Sequence, residues 1–302
     1  MNTDAQERMQ LVVVEDASLH GMPVRALKLC VGMRDLGYPV MLAVPQGKFE
    51  YTRIARENGV NVCEFRVRRF RDTGNLWKHT ESLAHLAPSV AVLGRMIVRQ
   101  KVAVVHCFGP HHILGPLAGR AVATKVAWHM GTVYQWTGLK RYAMTWMVKH
   151  LSTKVVSNCW AVAEAWLGPR ARENAKCVVI PTPVDLGRFR PSLDTRALRE
   201  ELAIGGDEVV LVQIAAIYPF KGIDCFIKAI GIVTRRIARP VRGLIVGPMM
   251  DLHRAYYEKL LELREALGLS KAVSILKPRH DIPEVLNLAD IVVIASLTEG
   301  LP

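Results

Sequence analysis

Short apolar runs alternate with amphipathic segments along most of the chain. The first run, Leu11–Val14, precedes a segment in which Ala26, Cys30 and Met33 recur at helical spacing, and the second run is Val40–Val44. Runs of four or five apolar residues are typical of strands buried on both faces of a parallel sheet. The helical spacing between the two runs therefore predicts a βαβ unit.

The same alternation continues along the chain and predicts two α/β halves. Further strands are expected at residues 61–65, 102–106, 125–129, 154–157, 177–180, 209–215, 243–246, 272–276 and 291–295. Residues 185–207 are polar and are interpreted as a linker. We expect two Rossmann-like, doubly wound domains facing a cleft, the first over residues 1–190 and the second over residues 191–302.

The last predicted strand leads into a loop that contains an acid beside a glycine. Ile291–Ala295 is expected to be buried on both faces, and the loop after it contains Glu299 and Gly300. Open α/β sheets bind ligands at the carboxyl ends of their strands. A glutamate there can accept hydrogen bonds from hydroxyls, and a glycine lets the backbone approach a ligand.

A second candidate site follows the first strand of the second half. Residues Ala216–Gly222 form a turn that opens a helix, and unpaired amides at a helix start attract anions. Lys221 adds a full positive charge. Neither a Walker pattern nor a Gly-x-Gly-x-x-Gly pattern occurs in the sequence, which argues against a P-loop enzyme and a dinucleotide oxidoreductase.

Two histidines are predicted to lie at the carboxyl ends of strands in the first half, His106 and His129. A lone histidine is most often structural, but two at the open edge of one sheet favour a ligand site.

The net charge of +13 is concentrated in the first half. Residues 51–150 hold fifteen Lys and Arg against four Asp and Glu, and no acid occurs between Glu81 and Glu164. Such a field suits an anionic membrane surface, a nucleic acid or a phosphorylated substrate, although it is equally explained by a solvated basic face.

Two segments of the basic half contain aromatic residues. Residues 134–154 mix aromatic and basic side chains in a way that suits a membrane interface, or a helix packed into the core between domains. Residues Arg66–Lys78 are predicted to form a basic loop, whose aromatics either insert into an interface or lie on the surface.

The chain contains neither a long apolar run nor a signal-peptide core, and its six cysteines include no Cys-x-x-Cys pair. We therefore expect a cytoplasmic protein with reduced thiols, with peripheral association at the inner face of the membrane as an open alternative.

Taken in order, these landmarks resemble the family-four glycosyltransferases of GT-B fold, which use nucleotide sugars and retain anomeric configuration. The matching motifs are Val179-Ile180-Pro181 with Val184-Asp185, Phe189-Arg190-Pro191, Lys221-Gly222-Ile223-Asp224, Val246-Gly247, Leu267-Gly268-Leu269, and Ser296 through Glu299-Gly300-Leu301-Pro302. Looser matches in the first half include His106 and His129-x-Gly131.

The resemblance implies that residues 1–190 form the acceptor-side domain and residues 191–302 an incomplete nucleotide-sugar-binding domain, and it implies roles for single positions. Lys221 would hold the donor diphosphate, Glu299 would bind hydroxyls of the donor sugar, and His129 would face the reacting carbon. Further donor contacts are implied for Gly222, Gly247, Arg279, Gly300 and Leu301. Acceptor-side positions are implied for Gly21 and His106. The donor would be a UDP- or GDP-sugar, the acceptor a cell-envelope or lipid-linked glycan, and no metal or other cofactor would be needed.

The chain departs from the family pattern in several places. An arginine of the phosphate site is replaced by Ala216, the first glycine of the early pair by His20, and a second glutamate for the ribose would lie beyond Pro302. We therefore expect a fragment of a longer enzyme that is inactive by itself. The alternatives are a non-catalytic protein that binds a nucleotide sugar or an anionic glycan, and nucleic-acid binding, for which no recognition motif accompanies the charge.

Overall fold

A computed structural model describes residues 8–17, 21–47, 49–65, 76–134, 136–249 and 253–301, with the backbone alone for residues 76–84. The chain divides into two compact units, Met1–Thr182 (unit 1) and Pro183–Gly300 (unit 2). This division precedes the predicted domain boundary after residue 190. The cleft expected between the domains stays a prediction.

Unit 1 is a parallel sheet with helices between its strands. The described strands are β1 Gln10–Val13, β2 Val40–Pro45, β3 Asn61–Phe65, β4 Val104–Phe108, β5 Lys125–Met130, β6 Lys154–Ser157 and β7 Cys177–Val179. The described helices are α1 Gly21–Asp35, α2 Glu50–Glu57, α3 Leu76–Arg99, α4 Leu114–Ala121, α5 Gly138–Leu151 and α6 Trp160–Leu167, followed by a 3-10 turn at Ala171–Glu173.

The order of the strands creates a switch point in unit 1. The sheet runs β3-β2-β1-β4-β5-β6-β7, and every described pairing is parallel. The order reverses between β1 and β4, where a crevice opens at the carboxyl edge of such sheets. Successive residues of β1 point to opposite faces, so that Leu11 and Val13 pack into one core cluster and Val12 and Val14 into another.

Local sequence explains where α1 ends. Gly37 has a φ of 81°, a left-handed conformation that glycine adopts readily. Its amide donates to the carbonyl of Arg34, and the amide of Tyr38 donates to that of Met33. These bonds satisfy the last carbonyls of the helix and turn the chain into β2.

Unit 2 repeats the plan with a smaller sheet. Its described strands are β8 Val209–Ile214, β9 Val241–Val246, β10 Val273–Leu276 and β11 Ile291–Val292, and its helices are α7 Arg196–Glu201, α8 Ile223–Arg236, α9 Arg254–Ala266 and α10 Ile282–Leu288. The four strands are parallel in the order β10-β9-β8-β11, and the order reverses between β8 and β11. The predicted fold class, α/β with two parallel sheets, is confirmed.

Three local predictions need correction. The polar segment interpreted as a linker contains α7, whose Leu198 packs into the core of unit 2. The last strand is not buried on both faces, because Ile291 and Val292 are about half exposed and β11 pairs with β8 at the edge of the described sheet. Of the predicted basic loop, residues 66–75 lie outside the described residues, and Leu76–Lys78 begin α3.

Within the described part of the chain, no helix combines the length and the apolar character needed to cross a bilayer.

Candidate functional site

Lys221 and Glu299 lie at the switch point of unit 2. Lys221 ends the 3-10 turn Pro219–Lys221 that follows β8, and Glu299 lies in the loop after β11. The Lys221 ammonium contacts the Glu299 carboxylate across 78 residues of sequence, and the two side chains are 30% and 26% exposed. A cation and an acid therefore meet at the edge where open α/β sheets bind ligands.

Two glycines allow close backbone contacts around this pair. Gly222 has a φ of 61°, and a Cβ there would overlap the carbonyl oxygen of Ala295. A Cβ on Gly247, directly after β9, would overlap the carbonyl oxygen of Ala215. Because both neighbours are backbone, they cannot rotate away as a side chain can. Glycine is therefore required at both positions.

A buried glutamine that sequence reasoning missed holds the turn of Lys221. Gln213 is 2% exposed, and its Nε2 donates to the carbonyl of Lys221 at 2.6 Å. The amide of Leu297 donates to the carbonyl of Phe220 at 2.9 Å, which ties the loop after β11 to the same turn. The available signal was one polar residue inside the apolar strand β8.

Arg279 is occupied by two carboxylates. Its guanidinium donates to Glu201 at 2.6 and 2.9 Å and to Asp281 at 2.8 Å through two of its nitrogens. Hydrogen bonds to Asp281 and then to Glu201 raise the pKa of Arg279. A donor phosphate would have to displace one of these carboxylates, so the donor contact of Arg279 stays a prediction. In the structure, Arg279 links the end of α7 at Glu201 to Asp281, the residue before α10.

Two more residues predicted to contact the nucleotide sugar, Gly300 and Leu301, follow Glu299 directly. Gly300 is partly exposed, and the side chain of Leu301 is 43% exposed. Ala216, at the position where the family resemblance implies an arginine, follows β8 and is also partly exposed. The donor contacts implied for Gly300 and Leu301 stay predictions.

The two histidines of unit 1 are in contact. His106 Nδ1 lies 3.1 Å from His129 Nε2, and the ring of Phe108 stacks on that of His129 with centroids 4.3 Å apart. His129 lies near the carboxyl end of β5, as predicted. His106 does not lie at a strand end: it is in the middle of β4, is 8% exposed and contacts Gln10. The sequence predicts this strand over residues 102–106, whereas β4 begins and ends two residues later, at Val104 and Phe108.

Hydrogen bonding fixes the tautomers of both rings. Gln10 Nε2 donates to the carbonyl of Arg8 at 3.0 Å, so its Oε1 faces His106 Nε2 as an acceptor at 3.2 Å. His106 must then donate from Nε2 and accept at Nδ1, which makes His129 the donor through Nε2. A neutral His129 therefore presents Nδ1 as an acceptor.

Burial keeps both rings neutral at pH 7. It lowers the pKa of His106 to about 4. Burial also lowers the pKa of His129 well below its usual range, and the charges of His106 and Arg25 lower it further. Neutral imidazoles suit hydrogen bonding to hydroxyls rather than ion pairing with phosphates.

Arg25 is a second residue that sequence reasoning missed. It lies in the first turns of α1, and its Nη1 is so close to Gly131 that a Cβ there would overlap it. It is a basic residue in a helix with no local motif around it, so the sequence carried no signal. The predicted acceptor residue Gly21 begins the same helix with a φ of 49°, is exposed and has open space where a Cβ would lie.

No group of three His, Cys, Asp or Glu side chains in the described ranges is arranged as metal ligands would be. Whether the reaction needs a metal is a separate prediction, which this observation does not test.

Fold and sites together define a protein with two parallel α/β sheets, with a Lys–Glu pair at the switch point of unit 2 and two histidines in contact on the neighbouring strands β4 and β5 of unit 1. Residues 194–302 match the family described as "Glycosyl transferases group 1". The structure of Anabaena HepE in complex with UDP and glucose has the same fold, with a TM-score of 0.78, 18% sequence identity, and coverage of 96% of this chain and 74% of that chain.

Two curated relatives carry the comparison further. The D-inositol 3-phosphate glycosyltransferase of Nocardia farcinica is 33% identical over 125 residues, which cover 40% of this chain and 28% of the relative. The UDP-Gal:alpha-D-GlcNAc-diphosphoundecaprenol alpha-1,3-galactosyltransferase of Escherichia coli is 23% identical over 293 residues, which cover 92% of this chain and 74% of the relative. Residues 194–302 are therefore similar to the group 1 glycosyltransferases, and the chain has a GT-B-like structure.

Proposed function

We propose that the protein transfers a sugar from a UDP- or GDP-sugar to an acceptor hydroxyl with retention of configuration. The observation that carries the proposal is the meeting of Lys221 and Glu299 at the switch point of unit 2, inside the segment that matches the family. HepE was solved with UDP and glucose, and the name of the E. coli relative specifies a UDP-sugar.

The proposed roles follow from charge and hydrogen-bonding capacity. Lys221 would stabilise the negative charge that develops on the leaving diphosphate, and Glu299 would accept hydrogen bonds from hydroxyls of the donor sugar. The neutral His129 would accept a further hydroxyl through Nδ1. The bond from the anomeric carbon to the diphosphate breaks as the bond to the acceptor oxygen forms, and the acceptor proton leaves with the nucleoside diphosphate.

Calorimetry with UDP- and GDP-sugars tests the donor site. Lys221→Ala should weaken the binding of the preferred donor at least tenfold, which corresponds to about 1.4 kcal/mol. Lys228→Ala is the matched control, because Lys228 is an exposed lysine on the adjacent helix α8 that pairs with Asp224. Equal affinities for the wild type and Lys221→Ala would contradict the assignment, as would equal losses in the two variants.

Binding without transfer is a second candidate function, favoured by Ala216. A guanidinium at this position would add a bidentate contact to the diphosphate, and the chain has only a methyl group there. Donor titration with hydrolysis measured in the same samples separates the two functions. Donor binding with no release of nucleoside diphosphate, in the presence of candidate acceptors, would favour the binding protein.

We propose further that the acceptor is a cell-envelope or lipid-linked glycan and that unit 1 contacts an anionic membrane. The name of the E. coli relative specifies a diphosphoundecaprenol-linked acceptor. Helix α5 exposes Leu139, Tyr142 and Trp146, whose side chains are 81%, 69% and 49% exposed. Tyr134 and Trp136 instead pack against the core of unit 1, so only part of the aromatic run is available to a membrane surface.

Charge supports an anionic lipid surface as the occupant of this face. Lys140, Arg141 and Lys149 lie on the same helix and are exposed, and basic residues near such a surface contribute about 1 kcal/mol each. Trp146→Ala should reduce co-sedimentation with anionic vesicles, whereas Ile237→Ala, an exposed apolar control in unit 2, should not. Equal recovery with neutral vesicles, or none with either kind, would contradict the membrane proposal.

A further inference from the structure

Arg25 is a partly buried cation for which the described residues provide no anionic partner. Its guanidinium lies against Gly131 in unit 1, and its charge reaches His129. In the part of the chain that the structure describes, no carboxylate pairs with it, and burial lowers its pKa without an acid to oppose the shift. An arginine held in this way loses hydration without regaining an ion pair, which is unfavourable unless an anion binds.

The sequence near Arg25 is poor in acids. No Asp or Glu occurs between Glu81 and Glu164, a range that includes β4, β5 and α5. Gly131 and the neutral imidazole of His129 lie near the guanidinium, and neither carries a negative charge. A bound anion would supply the negative charge that the described residues around Arg25 lack.

Asn158 is a second, independent sign of a ligand at the same place. It is 3% exposed, and its Nδ2 donates to the carbonyl of Gly131 at 3.1 Å. Its Oδ1 is buried and has no hydrogen-bond partner within the described residues. Buried acceptors are nearly always satisfied, so this atom calls for a donor such as a hydroxyl. Arg25 Nη1 and Asn158 Nδ2 thus both lie against Gly131, and the other atom of the Asn158 amide, Oδ1, is an acceptor with no partner among the described residues.

We propose that Arg25 and Asn158 recognise an oxyanion and a neighbouring hydroxyl of the acceptor substrate beside His129. The guanidinium fork matches phosphate and carboxylate groups in the same bidentate way, and Asn158 Oδ1 accepts the hydroxyl. The ligand class is therefore a hydroxylated anion, either a sugar phosphate or a uronic acid. This inference rests on the proposed function only in naming the ligand as the acceptor.

Anion titration of the full 302-residue chain tests the site without any sugar transfer. The probes are inorganic phosphate, glycerol 1-phosphate and glucuronate, with glucose as the uncharged control, and binding is followed by calorimetry and by the shift in Tm. Glycerol 1-phosphate or glucuronate should bind more tightly than inorganic phosphate, because each adds a hydroxyl for Asn158. The order of these two ligands distinguishes a phosphorylated acceptor from a uronate.

The variants separate a binding role from a structural one. Arg25→Gln should weaken anion binding at least tenfold and abolish the Tm shift. The anion affinity of Arg25→Lys should lie between those of the wild type and Arg25→Gln. Lys28→Gln is the matched control, since Lys28 is an exposed cation on the same helix. Without ligand, Arg25→Gln should be as stable as the wild type, because it removes an uncompensated charge.

Three outcomes would overturn the site. The wild type shows no anion binding up to millimolar concentrations, Arg25→Gln binds as well as the wild type, or Lys28→Gln loses as much affinity as Arg25→Gln. A fourth result, in which Arg25→Gln weakens UDP binding as strongly as Lys221→Ala, would assign Arg25 to the donor and overturn the acceptor site. A failed transfer assay would count against the proposed function alone, because anion binding is measured separately.

Discussion

The candidate sites of the two units differ in the state of their cation. In unit 2, Gly222 and Gly247 lie against the backbone carbonyls of Ala295 and Ala215. The cation of this site, Lys221, is already paired with the carboxylate of Glu299. In unit 1, the neutral ring of His129 stacks on Phe108 and lies within reach of the charge of Arg25. Arg25 has no carboxylate partner within the described residues. The same parallel-sheet topology therefore presents a compensated cation in one unit and an uncompensated one in the other.

The difference matters for how each site would respond to an anion. In unit 2 a diphosphate has to replace Glu299 as the partner of Lys221. A partly exposed ion pair contributes only about 0–1 kcal/mol, so this exchange is easy. In unit 1 an anion adds a partner where there was none, and no internal bond is broken. Affinity in unit 2 then depends on the exchange, whereas affinity in unit 1 depends on the anion alone.

The largest effect is expected when backbone crowding in unit 2 is tested directly. Gly222→Ala should destabilise unit 2 by on the order of 3 kcal/mol, because it combines a strained left-handed conformation with a Cβ that overlaps the Ala295 carbonyl. Gly268→Ala is the matched control, since Gly268 has a φ of 68° and open space around it. Denaturant unfolding measures both.

Gly131→Ala extends the same comparison to unit 1. The added Cβ meets the end of the flexible Arg25 side chain, which can move, so the loss of stability should be smaller than for Gly222→Ala. If Gly222→Ala and Gly268→Ala lost equal stability, the left-handed backbone conformation alone would explain the need for glycine at position 222, and crowding by Ala295 would not contribute.

An intermediate effect is expected from the pH dependence of unit 1. The folded-state pKa of His106 is about 4, below its usual value of 6.5. Between these values the unfolded chain binds the proton and the folded chain does not, so stability is lost as the pH falls from 6.5 towards 4. At pH 5 the loss from His106 should be on the order of 2 kcal/mol relative to pH 7.

His106→Gln isolates this contribution from those of other groups. The variant should lose less stability between pH 7 and pH 5 than the wild type, because all the carboxylates titrate equally in both proteins. Parallel curves for the two proteins would mean that the ring of His106 is not held neutral.

The smallest effect is expected at Arg279. Arg279→Met removes a guanidinium that joins Glu201 and Asp281 near the surface, so stability should fall by at most about 1 kcal/mol. Donor affinity should stay the same if Arg279 serves only as this tie. A tenfold loss of donor affinity, with stability unchanged, would instead support the donor contact that the sequence predicts.

The sequence predicts the strands and helices well where apolar periodicity is strong. It also indicates the candidate site of unit 2, because the motif residues lie close in sequence to predicted strands. Lys221-Gly222 and Glu299-Gly300 each lie in the segment that follows a strand, β8 or β11, and these strands are neighbours in the sheet, so topology brings them to one edge. The error on β11 has a physical source. An apolar run shows that side chains are suited to burial, but not whether other elements cover them.

Pairings between distant segments could not be predicted in the same way. Arg25 meets Gly131 and Asn158 only because the fold brings α1 close to the residues that follow β5 and β6, and neither Arg25 nor Asn158 carries a local pattern. Gln213 could have been noticed as a polar residue in an apolar strand, yet its partner in the Lys221 turn depends on the fold. His106 was found, but a short apolar run did not reveal that β4 extends beyond it.

The candidate sites of unit 1 and unit 2 are expected to bind different anions, and a crossed titration distinguishes the two sites. UDP and glycerol 1-phosphate are each titrated into the wild type, Lys221→Ala and Arg25→Gln by calorimetry. We expect Lys221→Ala to lose at least tenfold in UDP affinity and to keep its affinity for glycerol 1-phosphate, while Arg25→Gln shows the reverse. Loss of the same ligand in both variants would contradict this division of roles.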